Sequence, residues 1–284
     1  MDILQEYKRY LKLGRKSQAS IYQYMNDIKL YKKVTGKSFI EASVKDTECF
    51  LEGLIEKGNE NTTLLRKIAS LRSFYSFCRL KNLIKENPLS DIPKFRIREK
   101  ELKVLSKNEI QVILETLEYY PETLAGKEIN RIFRIMYFLA MRVSEIRNLN
   151  ISDIHIQQDS YVTFIGKSNK KRSLPLVNAS LLDSLISWLS FRKRFSGEAL
   201  FITRNQKRVS VRTIQRWIRE LGKKAGLEDS LSPHMLRRTL ATHLSDMGVD
   251  IAFIGDLLSH KNLNTTRRYA KISDKKRREV LSLL

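Results

Sequence analysis

The sequence predicts a mainly α-helical fold in two parts. A four-helix module covers residues 1–86, residues 87–102 form a linker, and residues 103–284 form a larger, mostly helical domain with a small β-sheet. Three observations lead there. Apolar residues recur at the spacing of one helix face through the first part. A stretch rich in proline and charge, without an apolar period, then interrupts the chain. One stretch of strict alternation stands alone among helical patterns in the second part.

The elements follow in order. Ile3, Tyr7, Tyr10 and Leu11 share a face that runs to Gly14. Ser17 caps a second helix with Ile21, Tyr24, Ile28 and Tyr31 inward, ending near Gly36. Asp46 to Lys57 gives a third, with Phe50, Leu51 and Leu54 inward and Gly58 closing it. Thr62 to Leu80 gives a fourth, striped by Leu64, Ile68, Leu71, Phe74 and Tyr75. The linker stretch "KENPLSDIPKFRIREKEL" holds Lys94, Arg96, Arg98 and Lys100, which stand equally as contacts to a phosphate backbone or as a solvated tether. Beyond it, Ser106 reads as a helix cap, and residues 129–141 as a buried helix. "SYVTFIGKSNKKRSLPL" (Ser160 to Leu176) alternates, turns through a Gly-Lys-rich segment and resumes, which is a β-hairpin. From Ala179 helical patterns return to the C-terminus.

Composition narrows the function. Of the 284 residues 42 % are hydrophobic and 30 % charged, which is a folding chain rather than a disordered one. No apolar run is long enough for a membrane span, and the N-terminus lacks the apolar core of a secretory signal, so a cytoplasmic protein is expected. Cys49 and Cys78 read as buried free thiols. No His/Cys spacing suits a metal, and no cofactor is expected. The net charge is +22; residues 1–100 carry 21 basic and 12 acidic side chains, and residues 101–284 carry 32 and 19. Two basic parts suit a polyanion held between them. In "SVRTIQRWIRELGKKAGL", Arg212, Arg216, Arg219 and Lys223 form one basic stripe, backed by Ile214, Trp217, Ile218 and Leu221. An ordinary amphipathic helix has the same pattern, but in this charge context a DNA-facing helix is favoured.

Four stretches carry the chemistry: "LAMRVSEIRNL" with Arg142, "GKSNKKR" with Lys167, "SPHMLRRTLATHL" with His234 and Arg237, and "LSHKNLNTTRRYAKI" with His260 and Tyr269. In this order, and with nine residues from His260 to Tyr269, they resemble the motifs of the tyrosine recombinase (lambda-integrase) family, especially its compact Xer-like members. The resemblance spans nearly the whole chain. It implies an N-terminal core-binding, SAM-like domain and a catalytic domain.

It also implies roles. Tyr269 would attack a phosphodiester and hold the 3′ phosphate as a phosphotyrosyl bond. Arg142 and Arg237 would clamp the non-bridging oxygens, for which a planar, forked, permanent cation is suited. Lys167 would protonate the departing 5′ oxygen. It is preferred over Lys170 and Lys171 because the family's lysine follows a glycine at the strand end, here Gly166. His234 would assist proton transfer from Tyr269, His260 would hydrogen-bond the phosphate, and Glu145 would orient an arginine or histidine. His243 reads as structural and His155 as a surface residue. The chain departs from the family where Leu139-Ala140-Met141-Arg142 replaces Thr-Gly-Leu-Arg, Leu236-Arg237-Arg238 replaces Leu-Arg-His, and Leu258-Ser259-His260 replaces Leu-Gly-His. These departures lean toward a transposon-encoded cointegrate resolvase over the chromosomal Xer group.

The expectation is thus a site-specific recombinase acting on double-stranded DNA with inverted half-sites. It would work as a homo-tetramer through a Holliday junction, with the tail residues Val280, Leu281, Leu283 and Leu284 docking on a neighbouring protomer. The lack of an added N-terminal arm-binding domain favours resolution over integration. A type IB topoisomerase shares the chemistry, but the helical module and the tail speak against it. A non-catalytic DNA-binding protein would have no need of Tyr269.

Overall fold

In the computed structural model, residues 2–90, 103–166 and 170–258 are described. The chain divides into two compact units, Met1–Lys100 and Glu101–Leu284. The first holds four helices, α1 (Ile3–Leu13), α2 (Gln18–Thr35), α3 (Val44–Glu56) and α4 (Asn61–Leu80), with α2 packed on the other three. Ser17 caps α2, and Gly36 ends it at φ 68°, a left-handed conformation that glycine adopts without steric cost. α3 begins two residues before the expected Asp46. Ser43 is its cap: Ser43 Oγ accepts the Asp46 N–H at 3.3 Å, and the Asp46 carboxylate accepts the Ser43 N–H at 2.8 Å.

The core of this unit is aromatic. Tyr7, Tyr31, Phe74 and Tyr75 are fully buried, and Tyr7 meets Phe74 edge-on with centroids 5.1 Å apart. Each such ring contributes about 1.5–3 kcal/mol by burial. Within this core Asp27 of α2 is buried, held by Arg66, by the Ser70 hydroxyl at 2.8 Å and by Lys67 at 3.6 Å, all on α4. This charged tie between helices has no signature in the apolar stripe. Two expectations need correcting. Tyr24 is half-buried at the edge of the core, and Cys49 is exposed, since it lies on the solvent side of α3; Cys78 is buried.

The second unit contains α5 (Lys107–Glu118), α6 (Leu124–Leu139), α7 (Val143–Asn148), β1 (Ile154–His155), β2 (Tyr161–Ile165), β3 (Lys171–Pro175), α8 (Ala179–Arg192), α9 (Val211–Lys224), α10 (Pro233–Asp246) and α11 (Ile251–Leu257). The sheet is antiparallel in the order β1-β2-β3, with Tyr161 opposite Pro175 and Ile165 opposite Lys171. The hairpin stands as expected; the two-residue β1 is too short to leave a pattern. Ser106 caps α5, with Glu109 completing the reciprocal box. α6 packs against α7, α8, α9 and α10, which accounts for its apolar sequence. It spans Leu124–Leu139 rather than 129–141, because Thr123 caps it earlier and Ala140 turns left-handed at φ 49°.

Helix does not continue unbroken after Ala179. Residues 193–210 form an irregular segment tied by the bridges Asn150↔Ala199 and Ile202↔Arg208. Its organiser is Arg192, fully buried, which donates to the carbonyls of Phe195, Ser196, Gly197 and Ala199 at 2.8–3.0 Å. A guanidinium satisfies four carbonyls that no helix or strand claims. No helix among the described residues is long and apolar enough to cross a membrane.

Beneath this segment lies Glu128 of α6, fully buried, whose Oε1 accepts the Ile202 N–H. Its Oε2 has no hydrogen-bond partner among the described residues. Burial pushes the carboxyl up to about 8, against the lowering effect of the Ile202 N–H and the Arg192 charge. A carboxyl raised in the folded state favours folding most below its unfolded value, and that contribution is lost as pH rises through about 8. Glu128→Gln keeps an acceptor for Ile202 and cannot ionise. The expected result is a gain in Tm over the wild type that is larger at pH 9 than at pH 5, read by thermal melts at both.

Candidate active site

Arg142 sits at the junction between the left-handed end of α6 and the start of α7. Its backbone N–H donates to Glu145 Oε2 at 2.7 Å and its Nη1 donates to Glu145 Oε1 at 2.9 Å. One buried carboxylate therefore caps α7 and aims the guanidinium. The Arg142 Nη2 donates to the Leu258 carbonyl at 3.2 Å. Arg237, on α10, reaches the same place: its Nη2 donates to Leu258 O and its Nη1 to Ala140 O. Two arginines 95 positions apart thus converge on one backbone carbonyl, two residues before His260. Arg237 is 7 % exposed, whereas Arg142 is half-buried at the rim of an open cleft of about 1010 Å³. Arg142, Glu145, Asn150, Gly166, Lys171 and Arg208 are among the residues that line the cleft.

Ala140 explains itself in this frame. Its φ of 49° turns its carbonyl toward Arg237, and its Cβ is fully buried with Ala241, Ile254 and Leu258. A left-handed alanine costs roughly 1–2 kcal/mol, while burying a methyl returns about 0.8 kcal/mol. Ala140→Gly is therefore expected to change the unfolding free energy by less than about 1 kcal/mol, measured by denaturant titration.

His234 lies in the first turn of α10, one turn before Arg237, with Ser232 capping the helix. It is exposed, yet the protein on one side and the charges of Arg237, Arg238 and Arg142 hold its pKa below the ordinary imidazole value. It is neutral near pH 7 and able to take a proton. Gly166, the residue before Lys167, ends β2 on the cleft wall and donates to the Lys170 carbonyl at 2.9 Å. Lys167, His260, Tyr269 and the linker cations Lys94, Arg96 and Arg98 lie outside the described residues, as does the tail. His243 is buried, with its Nε2 2.9 Å from the Leu105 carbonyl, to which it donates, and its Nδ1 hydrogen-bonded with the Tyr137 hydroxyl at 3.1 Å. His155 is half-buried rather than on the surface, stacked on Tyr161 with centroids 4.4 Å apart.

Residues 103–276 match the phage integrase family, and residues 4–82 match the phage integrase N-terminal SAM-like domain. The chain belongs to the phage integrase family. It is a tyrosine recombinase, an enzyme of site-specific DNA recombination. Among its relatives, the tyrosine recombinase of Thermosipho africanus (strain TCF52B) is 30 % identical, with 99 % of each chain covered. Tyrosine recombinase XerC of Bacillus subtilis (strain 168) is 31 % identical over 94 % of this chain and 90 % of its own. The fold matches the crystal structure of the XerH site-specific recombinase bound to palindromic difH substrate, a post-cleavage complex. That match has a TM-score of 0.77 and 18 % identity, covering 99 % of this chain and 94 % of that one.

In this tyrosine recombinase Arg212, Arg216, Arg219 and Lys223 are all exposed along α9, while Ile214, Trp217, Ile218 and Leu221 are buried behind them. Arg216 lies 3.8 Å from Glu220, an exposed pair of little energetic weight that leaves the stripe available. Three participants escaped the sequence. The Leu258 carbonyl is a backbone group and has no residue-type signal. Arg208 donates to the carbonyls of Arg147 and Leu149 at 3.0 and 2.9 Å, closing the C-terminal end of α7. Arg172 could have been noticed as a cation on the inward-facing register of β3, which it shares with buried Leu174.

Proposed function

We propose that Tyr269 is the nucleophile of this recombinase and that Arg142, Lys167, His234, Arg237 and His260 serve it. The Tyr269 oxygen forms a bond to the scissile phosphorus as the bond to the 5′ oxygen breaks. His234, neutral near pH 7, assists removal of the tyrosine proton, and Lys167 gives a proton to the departing oxygen. Arg142 and Arg237 bind the non-bridging oxygens, with Glu145 orienting Arg142, and His260 adds a hydrogen bond. The 3′ phosphate stays on Tyr269 until a 5′ hydroxyl of the partner strand attacks it, so no high-energy cofactor is consumed. The observation that carries this reading is the convergence of Arg142 and Arg237 on the Leu258 carbonyl beside the cleft.

On the same reading, the α9 stripe and the cations Lys94, Arg96 and Arg98 follow the DNA backbone of inverted half-sites. Four protomers, linked through Val280, Leu281, Leu283 and Leu284, exchange strands through a Holliday junction. The biological outcome is resolution of joined replicons, cointegrates or dimers, in the cytoplasm. Xer-type relatives and the palindromic substrate of the XerH complex support this. The test begins with selecting a bound site from a pool of random duplexes, then nicking it so that the cleaved fragment diffuses away. The wild type is expected to form an adduct that survives detergent. Tyr269→Phe is expected to bind the duplex and form none; an adduct from that variant would sink the assignment.

A further inference from the structure

Arg172 is a half-buried cation on β3. It lies on β3 directly opposite Phe164, in the inward register shared with Leu174. The guanidinium lies 6.0 Å from the centre of the Phe164 ring. Its stem runs beneath Gly166, where an added Cβ would stand 3.4 Å from Arg172 Cδ. From there Nη2 crosses to α11 and donates to the Asp256 carbonyl at 2.9 Å. The Asp256 carboxylate is 3.9 Å away and 90 % exposed, so the carbonyl carries the contact. Lys170 and Lys171, by contrast, are exposed.

The contact joins two parts of the site. On one side is the hairpin end at Gly166, the residue before Lys167. On the other is the last turn of α11, which leads to the Leu258 carbonyl where Arg142 and Arg237 meet. We infer that Arg172 is a positioning residue for departure of the 5′ oxygen: it fixes the hairpin that bears Lys167 against the element that anchors both arginines. The inference rests on reading Lys167 as the general acid. An arginine suits the task because it spans from the hairpin to a carbonyl and keeps its charge throughout. Held loosely, the hairpin would present the acid off line, and a misplacement of about 1 Å costs on the order of 100-fold in rate.

The test uses Arg172→Met, which keeps the stem and loses the donors. Single-turnover cleavage is measured on two nicked duplexes carrying the selected site. One has the ordinary 5′ oxygen at the scissile bond; the other has sulfur there, a leaving group that needs no proton because thiols ionise near pH 8.5 or about that value. The expected result is cleavage of the oxygen substrate slowed about 100-fold and cleavage of the sulfur substrate close to wild type. Equal slowing on both, or no slowing on the first, overturns the inference. Lys167→Ala in parallel separates the two readings. If sulfur does not rescue it, the general-acid reading fails and the inference falls with it. If sulfur rescues Lys167→Ala but not Arg172→Met, only the role of Arg172 falls. Should Arg172→Met melt below the assay temperature, Arg172→Lys, with the charge kept and the reach shortened, gives the same comparison.

Discussion

Arg237→Ala is expected to reduce single-turnover cleavage by at least about 1000-fold while leaving DNA binding within a few-fold. Two effects add. On the proposed function the guanidinium is one of two that meet charge growing on the phosphate, and removing one preorganised donor costs roughly 100- to 1000-fold. It is also the donor to Ala140 O and Leu258 O in a buried setting. Without it the Ala140 carbonyl loses its guanidinium partner, at about 1–3 kcal/mol before water enters, and the Leu258 carbonyl keeps Arg142 but not Arg237. The Leu258 end of α11, and with it Arg142, then loses its reference point. Arg237→Lys keeps the charge, but an ammonium lacks the planar fork that reaches both carbonyls at once. It should therefore stay at least about 100-fold impaired. The measurements are adduct formation against time, gel-shift affinity on the same duplex, and Tm. A lysine variant with wild-type cleavage would show that charge alone matters and that the fork geometry does not.

Glu145 separates into two functions that substitution can divide. Its carboxylate, 5 % exposed, accepts from the Arg142 backbone and from the Arg142 guanidinium. Glu145→Gln retains an oxygen to cap α7 but turns an NH2 group toward Arg142, donor against donor. Glu145→Ala loses the cap as well, worth about 0.5–2 kcal/mol. Both variants are expected to cleave about 100-fold more slowly, because Arg142 is no longer aimed. Only the alanine variant should show the larger fall in Tm. If glutamine cleaved like the wild type and alanine did not, Glu145 would act through the stability of α7 and not through Arg142.

Much of this was legible in the chain. The apolar stripes of α1 to α4 and the Ser106 cap declare themselves because local propensity and burial agree there. The hairpin was legible because its period differs from everything around it. The motif residues Arg142, His234 and Arg237 could be named through the resemblance of their stretches to the family's motifs. What the resemblance could not give was how the two arginines meet, since the meeting point is a main-chain carbonyl. Residues 193–210 fall within the stretch read as helical from Ala179 onward; the buried Arg192 that holds them in another shape acts through carbonyls, which every sequence has. Nothing in the residue types of Asp27 and Glu128 marks them as buried. Only the packing reveals that each is buried against partners on distant segments.

The most direct measurement is the identity of the residue that carries the DNA. The adduct trapped on the nicked duplex is digested with nuclease and protease, and the peptide bearing the nucleotide remnant is sequenced by mass spectrometry. The remnant is predicted on Tyr269, joined through a 3′ phosphate, in the peptide that follows Arg268. A remnant on any other residue, or one joined through a 5′ phosphate, would contradict the assignment of nucleophile, clamp and general acid together.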